Sequence, residues 1–203
     1  SERGAVGRVY EDVKNRILSG EIRLRERLDV DHLARTYRVS GTPVRQALSH
    51  LAFERLIVPH PTRGFHVALW SEKGLRDLYD WRGMLACLAA ESGERTAPAK
   101  GANGSAIYAD AVTSLLQCLN TCSNSELARA ATNADERLRA ARLVEPDLIP
   151  ECEDEFASLY AAIADGTLAQ LRAALRAYHH KRSEQAGEIR ARALLRALPE
   201  EDE

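Results

Sequence analysis

Residues 39–58 read VSGTPVRQALSHLAFERLIV and join a turn, a helix and the start of an extended segment. Val39-Ser40-Gly41 is typical of a tight turn. Pro43 suits the first turn of a helix, because the N–H that it lacks would be unpaired there anyway. Apolar residues then recur with helical spacing on one side of the stretch. The pattern predicts a helix from about Pro43 to Arg55.

The segments on either side of this helix place it third in a short series. One helix is predicted within the first 20 residues, and a second over Val30–Tyr37 with Asp29 as its N-cap. Two extended runs follow, Ile57–Pro59 and Phe65–Leu69, joined by a tip that contains proline and glycine. Helix, helix, turn, helix and hairpin form the order of a winged helix-turn-helix.

The chain after Leu75 shows helical periodicity and no strand-like alternation. Predicted helices cover Leu75–Glu94, Ile107–Cys122, Ser125–Val144 with Ser125 as N-cap, Glu151–Asp165 and Thr167–Leu198, and residues 95–105 read as a loop. The predicted fold class is mainly α: an N-terminal winged helix-turn-helix with a small β-hairpin, followed by an all-α bundle of five or six helices. The predicted domains are residues 1–70, a connector at 71–74, a helical domain at 75–198 and an acidic tail at 199–203.

Charge divides unevenly over the 203 residues, whose net charge is −2. Residues 1–70 carry 12 Lys/Arg and 8 Asp/Glu, a balance of +4, and residues 71–203 carry 16 and 22, a balance of −6. A basic first part favours a polyanionic partner, although +4 also fits random scatter. The longest apolar run, Met84–Ala90, is too short to cross a bilayer, and the N-terminus lacks a signal core, so we expect a soluble cytoplasmic protein.

The turn and the third helix concentrate the residues suited to reading DNA. A helix fits the major groove with its first turn pointing inward, and its free N–H groups favour phosphate. Arg45 is the best candidate for a bidentate contact to guanine. The predicted DNA-binding residues are Arg35, Ser40, Thr42, Pro43, Arg45, Gln46, Arg63 and Gly64. The alternative is that Ser40 is only a cap, Pro43 only a helix start and Arg45 only a solvated charge.

One family signature accounts for this series. The matching residues are Leu33, Val39-Ser40, Thr42-Pro43-Val44-Arg45, Ala47-Leu48, Leu51, Glu54, Leu56-Ile57-Val58 and Arg63-Gly64-Phe65-His66-Val67. They resemble the GntR-type bacterial transcription regulators over nearly all of residues 6–69. The resemblance implies double-stranded operator DNA as the ligand, contacted by Arg45 and the wing.

The chain departs from the GntR pattern at four places. Gly41 replaces the usual arginine after the serine, and Gln46 replaces the usual glutamate after Arg45. Arg55 stands where a glycine usually precedes Leu56, and Leu24-Arg25 stands where Pro-Gly commonly follows the first helix. The departures bear on the operator sequence and leave the mode of binding unchanged.

The helical second half resembles a shortened effector domain of the FadR/VanR branch, the FCD type. The resemblance implies that Arg82 faces a ligand cavity and pairs with a carboxylate, for which a guanidinium offers a rigid two-point match. The alternatives are a surface arginine or an ion pair with Glu91 or Asp135.

Members of that branch also hold a metal ion with one Asp and three His, and this chain does not keep that set. The corresponding positions are Asp110 with Ser114, Asp135 with Arg139, Glu155-Phe156, and Tyr178 or His179. We therefore expect no metal cofactor, because a stable site needs three or four ligands.

Cysteine and histidine offer two weaker candidate sites. Cys118 and Cys122 share one helix face, so they suit zinc binding or oxidant sensing, although free cysteine is more often a small buried hydrophobe. Cys87 and Cys152 complete the set, and the four cysteines form no CxxC pair. His179-His180 are interpreted as exposed residues of a helix end.

These patterns predict a ligand-responsive repressor that binds a palindromic operator as a homodimer and catalyses no reaction. The expected effector is a small carboxylate-bearing metabolite bound in the helical domain. Two alternatives stay open. One is a regulator whose bundle binds no effector and serves only to dimerise, and the other is a helical metal-binding protein or enzyme with a docking winged helix.

Overall fold

The computed structural model describes residues 2–60, 64–92, 108–120 and 124–198 and separates into two compact units. The chain up to Leu69 forms the first unit together with the chain end from Leu194, and Trp70–Ala193 form the second. The sequence-based division differs at three places. Trp70 belongs to the second unit, the predicted connector at 71–74 also belongs to it and contains the start of α4 (Glu72–Glu91), and residues 194–198 belong to the first unit and not to the helical domain.

The first unit is a winged helix-turn-helix, as predicted. Its elements are α1 (Glu2–Ser19), β1 (Arg27–Leu28), α2 (Val30–Tyr37), α3 (Gly41–Phe53), β2 (Ile57–His60) and β3 (Gly64–Val67). The three strands form an antiparallel sheet in the order β1-β3-β2. Strand β1 was not predicted, because two residues are too short to show alternation.

Apolar faces of the three helices and the sheet enclose one core in this unit. Its buried members are Val9, Val13, Ile22, Leu28, Leu33, Val44, Ala47, Leu48, Leu51, Leu56, Ile57 and Val67. Each large aliphatic side chain contributes about 1.5–3 kcal/mol on burial. The start of α2 is capped as predicted, because the Asp29 carboxylate accepts from the His32 N–H at 2.8 Å. These contacts fix the angle at which α3 leaves the turn.

Arginines in the left-handed backbone region end α2 and α3. After α3, Arg55 has φ +60°, its N–H bonds the Ala52 carbonyl at 3.0 Å, and the Leu56 N–H bonds the Leu51 carbonyl at 3.1 Å. This is the Schellman pattern, in which glycine is usual because a Cβ is strained there. Arg38 ends α2 in the same way at φ +54°, and Arg25 has φ +65°. Two of the departures from the GntR pattern therefore place arginine where the backbone favours glycine.

Replacing Arg55 with glycine is expected to stabilise the protein by roughly 0.5–1 kcal/mol. The left-handed conformation costs a residue with a Cβ about 1–2 kcal/mol, and the extra freedom of glycine in the unfolded chain cancels part of the gain. Urea unfolding should show a higher midpoint for R55G. The control is Arg35→Gly in α2, where right-handed helical backbone makes glycine destabilising by about 1 kcal/mol. A lower midpoint for R55G would contradict the assignment of strain.

Helices are the only regular secondary structure among the described residues of the second unit. Its elements are α4 (Glu72–Glu91), α5 (Tyr108–Gln117), α6 (Ser125–Arg142), α7 (Glu145–Leu148), α8 (Cys152–Ala164), α9 (Leu168–Glu184) and most of α10 (Ala186–Arg196). The predicted loop over 95–105, Cys122 and the tail at 199–203 lie outside the described residues. No helix in the described ranges combines the length and the apolarity needed to cross a membrane.

Three details of these helices correct the prediction. The N-cap of α6 is Asn124 and not Ser125, because the Asn124 side chain accepts from the N–H groups of the two residues after Ser125. The single helix predicted to Leu198 is broken at Gln185, a one-residue interruption that leaves little trace in periodicity. The four-residue α7 was not predicted, because it is too short to show helical periodicity; Pro146 stands in its first turn.

Helices α4 and α9 pack side by side through a close approach at Gly83. A Cβ on this glycine would lie 3.0 Å from the Cβ of His179, so any larger residue would push the helices apart. The Arg76 guanidinium donates to the Ser183 carbonyl at 3.3 Å, and Glu91 pairs with Arg172 at 2.9 Å. These contacts show that the two helices run antiparallel. The packing decides which polar side chains meet in the interior.

Candidate nucleic-acid interface and buried ion network

The outward side of α2 and α3 carries most of the predicted DNA-binding side chains. Arg35, Thr42, Arg45 and Gln46 are exposed, and so is Ser40 just before α3. Pro43 differs from them, because it is buried with Val44, Ala47, Leu48 and Leu51 on the inner side of the helix. Pro43 therefore lies in the first turn of α3 with its side chain buried, and it does not face a ligand.

The N-terminus of α3 keeps its hydrogen-bonding capacity. Ser40 is the N-cap residue in extended conformation (φ −73°, ψ 167°), and its side chain makes no capping hydrogen bond. The first N–H groups of a helix have no partner within the helix and carry the positive end of its dipole. This end of α3 is thus suited to a phosphate.

Arg45 folds back toward the start of its own helix. A Cβ built on Gly41 would lie 3.0 Å from Nη1 of Arg45. The glycine that replaces the usual arginine of the GntR pattern therefore leaves room for the Arg45 guanidinium beside the helix N-terminus. The exposed guanidinium and the first turn of α3 form one donor-rich surface.

The wing is the β2–β3 hairpin. His60 is paired with Gly64 across the hairpin, and Gly64 has φ +80°, a conformation that glycine adopts without strain. The rings of His60 and His66 lie 5.2 Å apart between centroids, a contact that sequence reasoning did not predict. Arg63, predicted at the wing tip, lies outside the described residues.

Arg82 lies in the interior of the second unit and pairs with Asp135. Its side chain has no exposed surface, and it donates from Nε to Oδ1 of Asp135 at 2.7 Å and from Nη2 to Oδ2 at 3.1 Å. Arg142, also fully buried, donates from Nη2 to the same Oδ1 at 2.8 Å. Of the alternatives raised by the sequence, the structure shows the ion pair with Asp135.

Two guanidinium nitrogens in this network have no hydrogen-bond partner. They are Nη1 of Arg82 and Nε of Arg142. Burial alone would raise the pKa of Asp135, but the charges of the two arginines outweigh it and lower that pKa below its ordinary value. The carboxylate is therefore ionised, and the network of two arginines and one aspartate carries a surplus positive charge.

His179 is buried beside these arginines, which corrects the expectation of an exposed histidine. It keeps 2% exposure, its Nδ1 lies 2.7 Å from the Leu175 carbonyl, and its Nε2 has no partner. Nδ1 must carry the proton, because a carbonyl can only accept. Burial, joined by the charge of Arg82, lowers the pKa of His179 to about 3. The neutral ring therefore presents an acceptor nitrogen to a positively charged interior.

His179 makes folding stability depend on pH. Its folded-state pKa lies below the ordinary 6.5. Between these two pKa values, His179 binds a proton in the unfolded chain but not in the folded chain. Stability should therefore fall as the pH decreases below about 6.5, by about 1.5 kcal/mol between pH 6.5 and 5 from this residue. Urea unfolding of His179→Gln should show a flatter pH dependence over that range. Ala177→Gln, at an exposed position of the same helix that carries no titratable group, should keep the wild-type slope.

A second buried network centres on Arg182 and Glu145. Arg182 donates from Nε to Glu145 at 2.7 Å and from Nη2 to the Tyr108 hydroxyl at 2.8 Å. Glu145 also accepts from Tyr79 at 2.7 Å and from Tyr178 at 3.2 Å. Sequence reasoning missed this network, although a signal existed. Tyr178 and Arg182 are four residues apart, so both lie on the inner side of α9.

The metal candidates can be examined only among the described residues, and the thiol pair is described for Cys118 alone. Across residues 2–60, 64–92, 108–120 and 124–198, no three His, Cys, Asp or Glu side chains gather in a way that could hold a metal ion. Asp110 instead pairs with Arg139 at 2.6 Å. Cys118 is half-buried with its Sγ 3.5 Å from the Ser114 carbonyl, and Cys122 lies outside the described residues.

Comparison with known proteins agrees with the fold of the first unit. The family described as "Bacterial regulatory proteins, gntR family" matches residues 5–67. The HTH-type transcriptional repressor GlaR of Escherichia coli K12 is 36% identical over 88 residues, which are 41% of this chain and 40% of GlaR. An uncharacterized HTH-type transcriptional regulator, BphR of Paraburkholderia xenovorans LB400, is 34% identical over 87 residues, 43% of this chain and 36% of BphR. The aligned part thus spans about two fifths of these relatives.

Solved structures share the fold over most of the chain. A transcriptional regulator GntR from Rhodococcus sp. RHA1 superposes with a TM-score of 0.74 at 18% identity, covering 90% of this chain and 97% of that one. E. coli McbR/YncC gives 0.61 at 17% identity, covering 91% and 97%. The first unit is a winged helix-turn-helix of the DNA-binding class. The matches of residues 5–67 and of the curated relatives show that the first unit is similar to the gntR family of bacterial regulatory proteins.

Proposed function

We propose that this protein is a ligand-responsive repressor that binds a palindromic operator as a homodimer in the cytoplasm and catalyses no reaction. The observation that carries the proposal is the exposed N-terminus of α3, where Arg45 and an uncapped first turn face outward from a GntR-type winged helix-turn-helix. A relative of the first unit, GlaR, is itself described as a transcriptional repressor.

On DNA, α3 enters the major groove with its first turn leading. Arg45 donates two hydrogen bonds to a guanine edge, and Ser40 and Thr42 donate to the phosphates beside it. Arg63 and Gly64 are proposed to contact the minor groove, where Gly64, which has no side chain, lets the backbone come close. Two copies place their α3 helices in half-sites about 34–36 Å apart, one helical turn along the duplex.

The effector we propose is a small carboxylate bound at Arg82 in the second unit. Nη1 of Arg82 and Nε of Arg142 are buried donors without partners, and the carboxylate of a ligand would satisfy the donor that it reached. Such a ligand has to favour one spacing of the two α3 helices by about 1–3 kcal/mol to change operator occupancy 5- to 150-fold.

A regulator whose bundle binds no effector is the second candidate, and the Arg82–Asp135 pair favours it. Asp135 already occupies two of the guanidinium nitrogens of Arg82. A panel of small carboxylic acids, tested for its effect on the melting temperature and on operator affinity, separates the two candidates. Wild-type protein should respond to an acid that leaves Arg82→Met unaffected. If no acid changes either quantity, the effector-free candidate replaces the first.

The proposal of operator binding is tested by selecting bound fragments from random DNA at defined salt. The expected product is a sequence of two inverted half-sites. Its affinity should fall with salt, with a log–log slope of about −0.9 for each phosphate contacted. If the protein retains no DNA fragment at low salt, the proposal of operator binding is wrong.

A further inference from the structure

The outward face of the wing carries two histidines on neighbouring strands. Val58, two residues before His60 on β2, lies directly opposite His66 on β3. Because side chains alternate along a strand and directly opposite residues share a face, His60 and His66 lie on the same face of the hairpin. The other face packs into the core through Ile57 and Val67, which are buried and lie opposite each other. The two histidines therefore occupy diagonal positions on the outward face of the wing.

The two imidazole rings stand at the separation that one shared metal ion requires. Their centroids are 5.2 Å apart, and their planes are inclined by 60°. An imidazole nitrogen binds Zn²⁺ at about 2.0–2.1 Å in tetrahedral geometry, so two rings on one ion have centroids about 5 Å apart. Both rings can therefore reach one ion without a change in the pairing of the strands.

The surroundings of the two histidines allow a divalent ion with open coordination positions. His60 is exposed and His66 is partly exposed, so water can fill the positions that the rings leave. Arg27 lies opposite His66 on β1, and its positive charge is offset because Nη2 pairs with Asp29 at 3.1 Å. Within the described part of the chain, no third His, Cys, Asp or Glu joins the two rings. Two protein ligands hold an ion less tightly than four, so the site suits an ion that exchanges with solution.

We infer that His60 and His66 form a binding site for a divalent transition-metal ion of the kind that imidazole prefers, such as Zn²⁺. The bound ion links β2 to β3 and adds positive charge to the outward face of the wing. Its open positions accept oxygen ligands, and a DNA phosphate supplies such an oxygen. The ion therefore strengthens operator binding. This effect on DNA rests on the proposed function, whereas metal binding itself does not.

The site is tested by titrating the full chain with Zn²⁺ alone, followed by calorimetry and by the NMR signals of the histidine Cε1–H groups. Wild-type protein should bind saturably and shift the signals of His60 and His66. His60→Gln and His66→Gln should each weaken binding by at least about tenfold, since even loss of a group that only orients a metal ligand costs about 10–100-fold. His32→Gln, at an exposed position of α2, is the matched control and should bind like the wild type.

Two outcomes of this titration overturn the site. One is the absence of a shift in the signals of His60 and His66, which is the result expected if the rings only pack against each other. The other is an affinity that stays unchanged in H60Q or in H66Q. Both substitutions lie on the outward face and should leave the urea midpoint unchanged, so a loss of binding reports the ligand and not the fold.

The double variant distinguishes one shared ion from two separate weak sites. H60Q/H66Q should bind Zn²⁺ as weakly as either single variant, because both rings hold the same ion and the first substitution already breaks the site. Losses that simply add would show that the two histidines act independently, and they would overturn the shared site.

Operator affinity, measured with and without Zn²⁺, tests the effect on DNA. Wild-type protein and H32Q should bind the selected operator more tightly in the presence of Zn²⁺, and H60Q should not respond. An unchanged affinity of the wild type overturns this part of the inference. Failure of the proposed function gives a different result, because a protein that binds no DNA would still bind Zn²⁺ in the calorimeter.

Discussion

Arg45→Ala is expected to weaken binding to the selected operator by about 1–3 kcal/mol, roughly 5- to 150-fold, and to relax base choice at one position in each half-site. The guanidinium is exposed and lies beside the first turn of α3, where a side chain meets base edges. A bidentate pair with guanine supplies both affinity and discrimination, and alanine supplies neither. Binding to random DNA, which depends on phosphate contacts, should weaken much less.

Fluorescence anisotropy at fixed salt checks this result on three duplexes: the selected operator, operators with single substitutions, and a random sequence. Arg129→Ala is the control, because Arg129 is 75% exposed on α6 of the second unit. Its affinities should match the wild type on every duplex. Equal losses for R45A on specific and random DNA would instead make Arg45 a phosphate contact.

The winged helix-turn-helix could be predicted from the sequence because its elements are short, amphipathic and separated by turn residues. The range predicted for α2, Val30–Tyr37, is the observed one, and its Asp29 cap is present. The observed α3 begins two residues earlier than predicted, at Gly41, because its cap is Ser40 and the turn before it is tight. These helices could be predicted because the residues that define them are neighbours in the sequence.

The interior of the second unit could not be predicted in the same way, because it depends on which helices become neighbours. Arg82 lies 53 residues from Asp135, and the sequence left Glu91 as an equal alternative. Because α4 packs against α6 and α9, Arg82 pairs with Asp135, and Glu91 pairs with Arg172. His179 shows a signal that was available, since adjacent helical residues point about 100° apart and His179 and His180 therefore need not share one environment.

The buried network around Asp135 gives the largest effect expected on stability. Asp135 is 2% exposed and holds Arg82 and Arg142, both fully buried, through contacts of 2.7 and 2.8 Å to one oxygen. Asp135→Asn preserves the size of the side chain and removes the charge that offsets two interior cations. Breaking a buried ion pair from one side costs about 3–5 kcal/mol, because the remaining charge stays desolvated and uncompensated. Urea unfolding should therefore show a loss in that range for D135N.

The size of this loss distinguishes a buried pair from an exposed one. Asp147 pairs with Arg192 at 2.9 Å, but the two side chains are 41% and 50% exposed. Asp147→Asn should cost less than about 1 kcal/mol, because water already screens that pair. The ionised form of Asp135 stabilises the fold above its ordinary pKa of 3.8, and this contribution is lost as the pH falls through the lower folded-state pKa. If D135N and D147N lose equal stability, Asp135 does not hold the two arginines in solution, and the interior of the second unit is arranged differently.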